Sequence, residues 1–292
     1  MKSNREDFYP AAMTIAVSDS GGGTGIQADL RTFNAAGVFG CSVITAVTAQ
    51  NPREITHVVP MAPEIIKAQF QAVVDTLSVK AVKTGMLVNA DNVKAVAGLL
   101  KKHKLPLVVD PAMIAGNGEN LLDNDGMEAV KTHLLPLADM IVLNTAEAKW
   151  LTGKNLRTQD DYVQAAILLA GEFKCNVLLK NATEKGGKSA DISVINQTAY
   201  TLAMPRVEDL SQYAEHGSGC TLASGITAML AAGCNWPDAL RAAKAHVYGA
   251  LCETAHVGKD IDAMYPPLED YSKLVSLSRI QTSKPTCKGS GA

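Results

Sequence analysis

The sequence has no run of 18 or more apolar residues, so no segment reads as a helix that crosses a bilayer. Its start, MKSNREDFYP, carries no apolar stretch of the kind a secretory leader needs, and none is expected. Aromatic residues make up only 5%, and 27 basic side chains are set against 29 acidic ones for a net charge of −2. That excludes a stacking platform rich in aromatics and an overall basic footprint for nucleic acid or an anionic membrane. No two of the six cysteines (Cys41, Cys175, Cys220, Cys234, Cys252 and Cys287) form a C-x-x-C pair, so neither a zinc ribbon nor a dithiol redox motif is spelled out. Reduced thiols in a cytoplasmic protein are the expectation. What is present is ordinary globular material: 47% hydrophobic and 19% charged residues over 292 positions.

Short apolar runs at 11–17, 42–47, 80–85, 105–110, 140–143 and 176–180 read as buried strands. Between and after them, stretches 63–75, 89–103, 124–134, 145–152 and 158–172 carry apolar residues three and four apart, the helical spacing. This alternation predicts an α/β fold, a central, mostly parallel sheet flanked by helices on both faces. A late hairpin is expected from 192–195 and 199–203 around Asn196-Gln197, then Ala-rich helices over 220–232 and 236–256. Nothing repeats and no linker divides the chain. One domain is therefore expected over 1–270, with a polar tail over 271–292 whose last residues, KGSGA, have the composition of an unstructured end.

In such sheets ligands bind beyond the carboxyl ends of the strands, and four polar motifs fall there. Ser18 to Asp29 (SDSGGGTGIQAD) follows the first strand and opens a helix, although it matches neither a dinucleotide fingerprint nor a Walker A loop. His216-Gly217-Ser218-Gly219-Cys220 precedes an apolar helix, where free N–H groups and the helix dipole suit an anion and lower a thiol pKa. Asn144-Thr145-Ala146-Glu147 follows MIVL and suits either a hard cation or a capping box. Asp110 and Lys180 end two further strands. Each motif alone also fits a plain structural turn; together they project to one edge of one sheet.

In order along the chain, SDSGGGTGIQADLRTF, GCSVITAVTAQN, KTGML, VVDPAM, LLPLAD, NTAEA and HGSGCTLASGI resemble the hydroxymethylpyrimidine/phosphomethylpyrimidine kinases of thiamine biosynthesis, in the ribokinase-like superfamily. The resemblance runs from about residue 12 to 260. It implies transfer of the γ-phosphoryl group of ATP, with Mg²⁺, to a hydroxymethyl group and then to the monophosphate, in a homodimer. It also implies that Asp29 and Gln50 bind the aminopyrimidine and that Gly85 and Met86 wall its pocket. Asn144 would serve the ATP phosphates, Glu147 and Asp110 the metal, and Lys180 a phosphate. Gly217, Ser218 and Gly219 would form an anion hole, with Cys220 as base.

The match departs at specific places. The flap after Met113 reads Ala115-Gly116-Asn117-Gly118, where the family usually carries a Lys. Asn181-Ala182-Thr183 stands for the usual Gly-Gly-His, Ala214-Glu215 for Asn-Thr, and Val17 for a Gly. Two other readings therefore stand beside the first. One is a pyridoxal or pyridoxine kinase, which Gln50 disfavours. The other is a pyrimidine-binding regulatory protein with weak or lost transfer, which the missing flap Lys and Glu215 favour.

Overall fold

The computed structural model describes residues 9–281 other than 186. The KGSGA end and the first eight residues lie outside the described residues. Strands β1 (Ala11–Asp19), β2 (Phe39–Gln50), β4 (Val79–Thr84), β5 (Leu107–Val109), β6 (Met140–Leu143) and β7 (Asn176–Lys185) run parallel, in the order β2-β1-β4-β5-β6-β7. Antiparallel strands extend both edges. β3 (Ile55–Pro60) pairs with β2, while β8 (Lys188–Ile195), β9 (Thr198–Pro205) and β12 (Ser276–Arg279) follow β7. The expected mostly parallel sheet is thus present, ten strands wide.

Alternation along each strand feeds two different cores, because successive side chains point to opposite faces. Val109, Ile141 and Leu143 pack on α2 (Pro63–Val74), α3 (Ala90–His103), α5 (Thr145–Thr152) and α6 (Gln159–Phe173). Val108, Met140 and Val142 face α7 (Ser218–Ala231) and α8 (Trp236–Cys252) instead. α1 (Gly25–Ala35) lies beside α7, with Phe33 and Ala228 sharing a smaller cluster. Every fully buried Leu, Ile or Phe contributes about 1.5–3 kcal/mol, so the two filled faces hold the sheet edge rigidly in place.

Several sequence expectations are corrected. The helix expected over 124–134 is α-helical only as α4 (Asn124–Ala129); one π-helical turn, Val130–Leu134, and a 3₁₀ turn, Leu135–Leu137, follow. Pro136 causes the change, since it offers no N–H and its ring crowds the carbonyl four residues back. The helix expected to 256 stops at Cys252, and β10 (Ala255–Gly258) turns back on β11 (Ile261–Ala263). α7 starts at Ser218, two residues before the expected start. β3, exposed along its whole length, lacks the alternation that would have marked it. The tail expected from 271 is structured as far as Arg279, because β12 completes the open edge of β9.

Candidate active site

β1 ends at Asp19, whose carboxylate gathers the glycine loop. It accepts the Gly21 and Thr24 N–H groups, each at 2.8 Å, and the Thr24 hydroxyl at 2.9 Å. Two glycines are obligatory for close approach. Gly25 (φ +57°) lies against the Val17 carbonyl, and Gly217 (φ +92°) against the Gly23 carbonyl; a Cβ at either would overlap those oxygens. The first glycine loop and the start of α7 are therefore pressed backbone to backbone.

This junction borders a cavity of about 450 Å³ lined by Thr24, Gln50, Gly85, Met86, His216 and Cys220. The Gln50 amide donates to Thr24 Oγ1 and accepts from Thr48 Oγ1, both at 3.1 Å, which fixes its orientation. Val17 also lines the cavity, as the substitution of a Gly implied. The flap closes the far side with Ala112, Ala115, Glu119 and Leu121, folded as a small turn with a bridge between Ile114 and Asn120. His216, which sequence reasoning had not assigned, packs over Gly23; its Nε2 is buried without a partner, and burial lowers its pKa against the pull of Asp19.

The expected direct contact of Asp29 with a ligand is corrected. Asp29 is 0% exposed and lies under the cavity floor. Lys83 donates to both of its oxygens at 2.8 Å, and Thr14 and Ser224 donate at 2.5 Å. Lys83 is the residue sequence reasoning missed. The available signal was a lysine inside the buried strand that ends in KTGML.

On the other side of the α7 start lies a groove of about 790 Å³, lined by Lys180, Asp191, Glu215, Ser218, Leu222 and Lys244. Lys180 Nζ stands 3.5 Å from Asp110 Oδ1. Burial opposes its charge, but the carboxylates of Asp110 and Glu147 outweigh burial and raise its pKa. The Lys180 bulge is braced from behind. Asp191 accepts the Asn181 N–H at 2.9 Å and pairs with buried Lys244 at 2.8 Å.

The N-x-x-E motif is used structurally here. Asn144 Oδ1 accepts the Glu147 N–H at 2.9 Å and its amide donates to the Ile114 carbonyl at 2.7 Å. Glu147 accepts the Met113 and Asn144 N–H groups, each at 3.0 Å. The motif thus caps α5 and anchors the flap base, and both oxygens of Glu147 are already engaged. Burial first, then Asp110, pushes the Glu147 carboxyl up to about 7 against Lys180 and the two amides.

The anion hole is narrower than expected. The Ser218 N–H is taken by the Glu215 carbonyl at 3.0 Å, while the Gly217, Gly219 and Cys220 amides, at a helix start, have no backbone partner among the described residues. The expected lowering of the Cys220 pKa is also corrected. Burial raises it; Lys83 pulls it down, and the carboxylates of Asp29 and Asp110 push it back up.

Among the described residues no group of three or more His, Cys, Asp or Glu side chains forms a metal cage. Asp110 and Glu147 fit a hard cation of the Mg²⁺ kind, held mostly by phosphate and water.

The chain matches the model of the phosphomethylpyrimidine kinase family over residues 19–264. It is 43% identical over 243 residues to a hydroxymethylpyrimidine/phosphomethylpyrimidine kinase of Rhizobium meliloti, covering 82% of this chain and 90% of that protein. Among solved structures it resembles a phosphomethylpyrimidine kinase of Clostridium difficile (36% identity, TM-score 0.72, 82% of this chain and 99% of that one). It also resembles an ADP complex of Bacillus subtilis pyridoxal kinase (32% identity, TM-score 0.80, 89% and 98%).

Proposed function

The chain belongs to the phosphomethylpyrimidine kinase family and is an ATP-using phosphotransferase of thiamine biosynthesis, and from that premise we propose how its residues divide the work. Hydroxymethylpyrimidine, and then its monophosphate, occupies the 450 Å³ cavity against Gln50, Gly85 and Met86. ATP lies in the 790 Å³ groove with its phosphates toward Lys180. One observation carries this reading: the two spaces meet at the start of α7, with Cys220 facing the first and Ser218 and Lys180 the second.

The acceptor oxygen attacks the γ-phosphorus, the bond to the β-phosphate oxygen breaks, and ADP leaves. Charge on the transferring group is met by Lys180 and by the Gly219 and Cys220 amides. A divalent cation bound with the nucleotide would further neutralise the phosphates. Asp110 and Glu147, the carboxylates beside Lys180, would hold it, Asp110 being the freer of the two. Cys220 takes the hydroxyl proton in the first transfer. The second acceptor, a phosphate, is largely ionised near neutral pH and needs no base. Asn144 serves the nucleotide indirectly by holding the flap base. A homodimer and a cytoplasmic setting complete the reading.

The test is ADP release with Mg²⁺-ATP and either hydroxymethylpyrimidine or pyridoxal, alongside binding of each compound without ATP. Turnover on the pyrimidine and its monophosphate is expected. Turnover on pyridoxal alone would move the chain to vitamin B6 chemistry, and binding without ADP release would leave a binding protein.

A further inference from the structure

We propose that Lys83 is a positioning residue for Cys220, supplying the positive charge that governs its thiol, and that Asp29 serves Lys83 rather than a ligand. The role rests on the assignment of Cys220 above; the placement of Lys83 does not.

Two helix starts lie side by side. Gly25, which opens α1, and Cys220, in the first turn of α7, line the same cavity. Four residues further along each helix, and so on the same faces, stand Asp29 and Ser224, joined by the 2.5 Å hydrogen bond from Ser224 Oγ. Lys83 reaches Asp29 from the end of β4. Two of its three N–H donors suffice for the Asp29 oxygens. Its Nζ lies beside Gly85, where a Cβ would come within 3.0 Å, and Lys83 borders the same cavity as Cys220. A neutral hydrogen-bonded pair would join β4 to α1 with less desolvation. What the ammonium adds is charge beside the sulfur.

The charged groups around Cys220 are Lys83 on β4, Lys180 on β7, Asp29 on α1 and Asp110 after β5. Burial and the two carboxylates oppose the thiolate, and Lys83 is the largest influence in its favour. Among the described residues, Lys83 and Lys180 are the cations that flank the thiol.

The test is alkylation of Cys220 by iodoacetamide, followed on its own peptide by mass spectrometry from pH 7 to 10, which needs neither ATP nor turnover. In Lys83→Gln, which keeps a hydrogen bond to Asp29 but loses the charge, the rate at pH 8 is expected to fall about tenfold and the profile to move to higher pH. Ser224→Ala removes a hydrogen bond from the same network and is expected to lower the melting temperature while leaving the profile in place. Equal profiles in wild type and Lys83→Gln, or the same shift in both variants, would overturn the proposal. Should Lys83→Gln not fold, the Asp29→Asn/Lys83→Met double variant replaces the ion pair with a neutral one. It is expected to react more slowly than wild type by a smaller factor, and a rate equal to or above wild type would refute the charge role. Loss of kinase activity with an unshifted profile would count against Lys83 and leave the kinase assignment standing; a shifted profile in a chain without turnover would do the reverse.

Discussion

At the scale of single residues, the site is governed by what each polar atom already touches. Cys220 is held mostly as a thiol near neutral pH, because burial and two carboxylates outweigh Lys83. A base that must first lose a proton becomes more effective as pH rises toward its pKa. Turnover on hydroxymethylpyrimidine is therefore expected to climb from pH 7 to 9, and Cys220→Ala to flatten that profile. The same variant should lower kcat for the hydroxymethyl substrate by about 10- to 100-fold and leave its KM nearly unchanged. It should affect phosphorylation of the monophosphate far less, since that acceptor is already ionised. Separate rate measurements on the two substrates check this, and equal losses on both would remove the base role. Lys180 acts by charge, so Lys180→Met is expected to raise the KM for ATP without changing binding of the pyrimidine, read by titration in the absence of nucleotide.

At the scale of elements, α5 does more than pack. Its capping box holds the base of the flap through the Met113 amide and the Ile114 carbonyl. Glu147→Gln loses one of two acceptors and turns an amide group toward a backbone N–H. A loss of about 1–3 kcal/mol is expected, concentrated in the flap. Amide exchange over 112–121 should quicken in this variant while β6 stays protected, which hydrogen-exchange mass spectrometry reads directly. A change spread evenly over the sheet would mean that the motif supports the fold and not the flap. The start of α1 is pressed on β1 and the start of α7 on the glycine loop for a similar reason: Gly25 against Val17 and Gly217 against Gly23 leave no room for a side chain between facing backbones.

For the whole molecule, two histidines shape the pH response. His216 and His246 have lowered pKa values, chiefly because burial disfavours the imidazolium. Unfolding frees both to bind protons near pH 6.5. The unfolded chain then binds more protons than the folded one as pH falls through that value. The histidine contribution to stability is therefore full above it and declines below it, while the Glu147 carboxyl, raised to about 7, works in the opposite sense because the folded chain keeps that proton to a higher pH. Between pH 7.5 and 5.5 the histidines pull the melting temperature down against Glu147, and His246→Gln, remote from the cavity, is expected to show a smaller drop than wild type. An identical drop in the variant would assign the effect elsewhere.

Periodicity was enough to read the parallel strands, most of the flanking helices, the strands that bear Gln50 and Lys180 and the helix start that bears Cys220, because each of those signals is local. Spacing showed Asn144 and Glu147 as both capping box and ligand pair, and only the folded chain shows that the capping box forms and that flap and cap amides already engage both Glu147 oxygens. Asp29 read as a ligand contact since nothing in the sequence reveals that Lys83, 54 positions away, reaches it. The direction of the Cys220 pKa likewise depended on burial and on the charges of Lys83, Asp29 and Asp110, from three separate parts of the chain. The chain order fixes which groups exist and which end of the sheet they reach. Desolvation and pairing across elements determine which remain free to act, and those follow from three-dimensional packing alone.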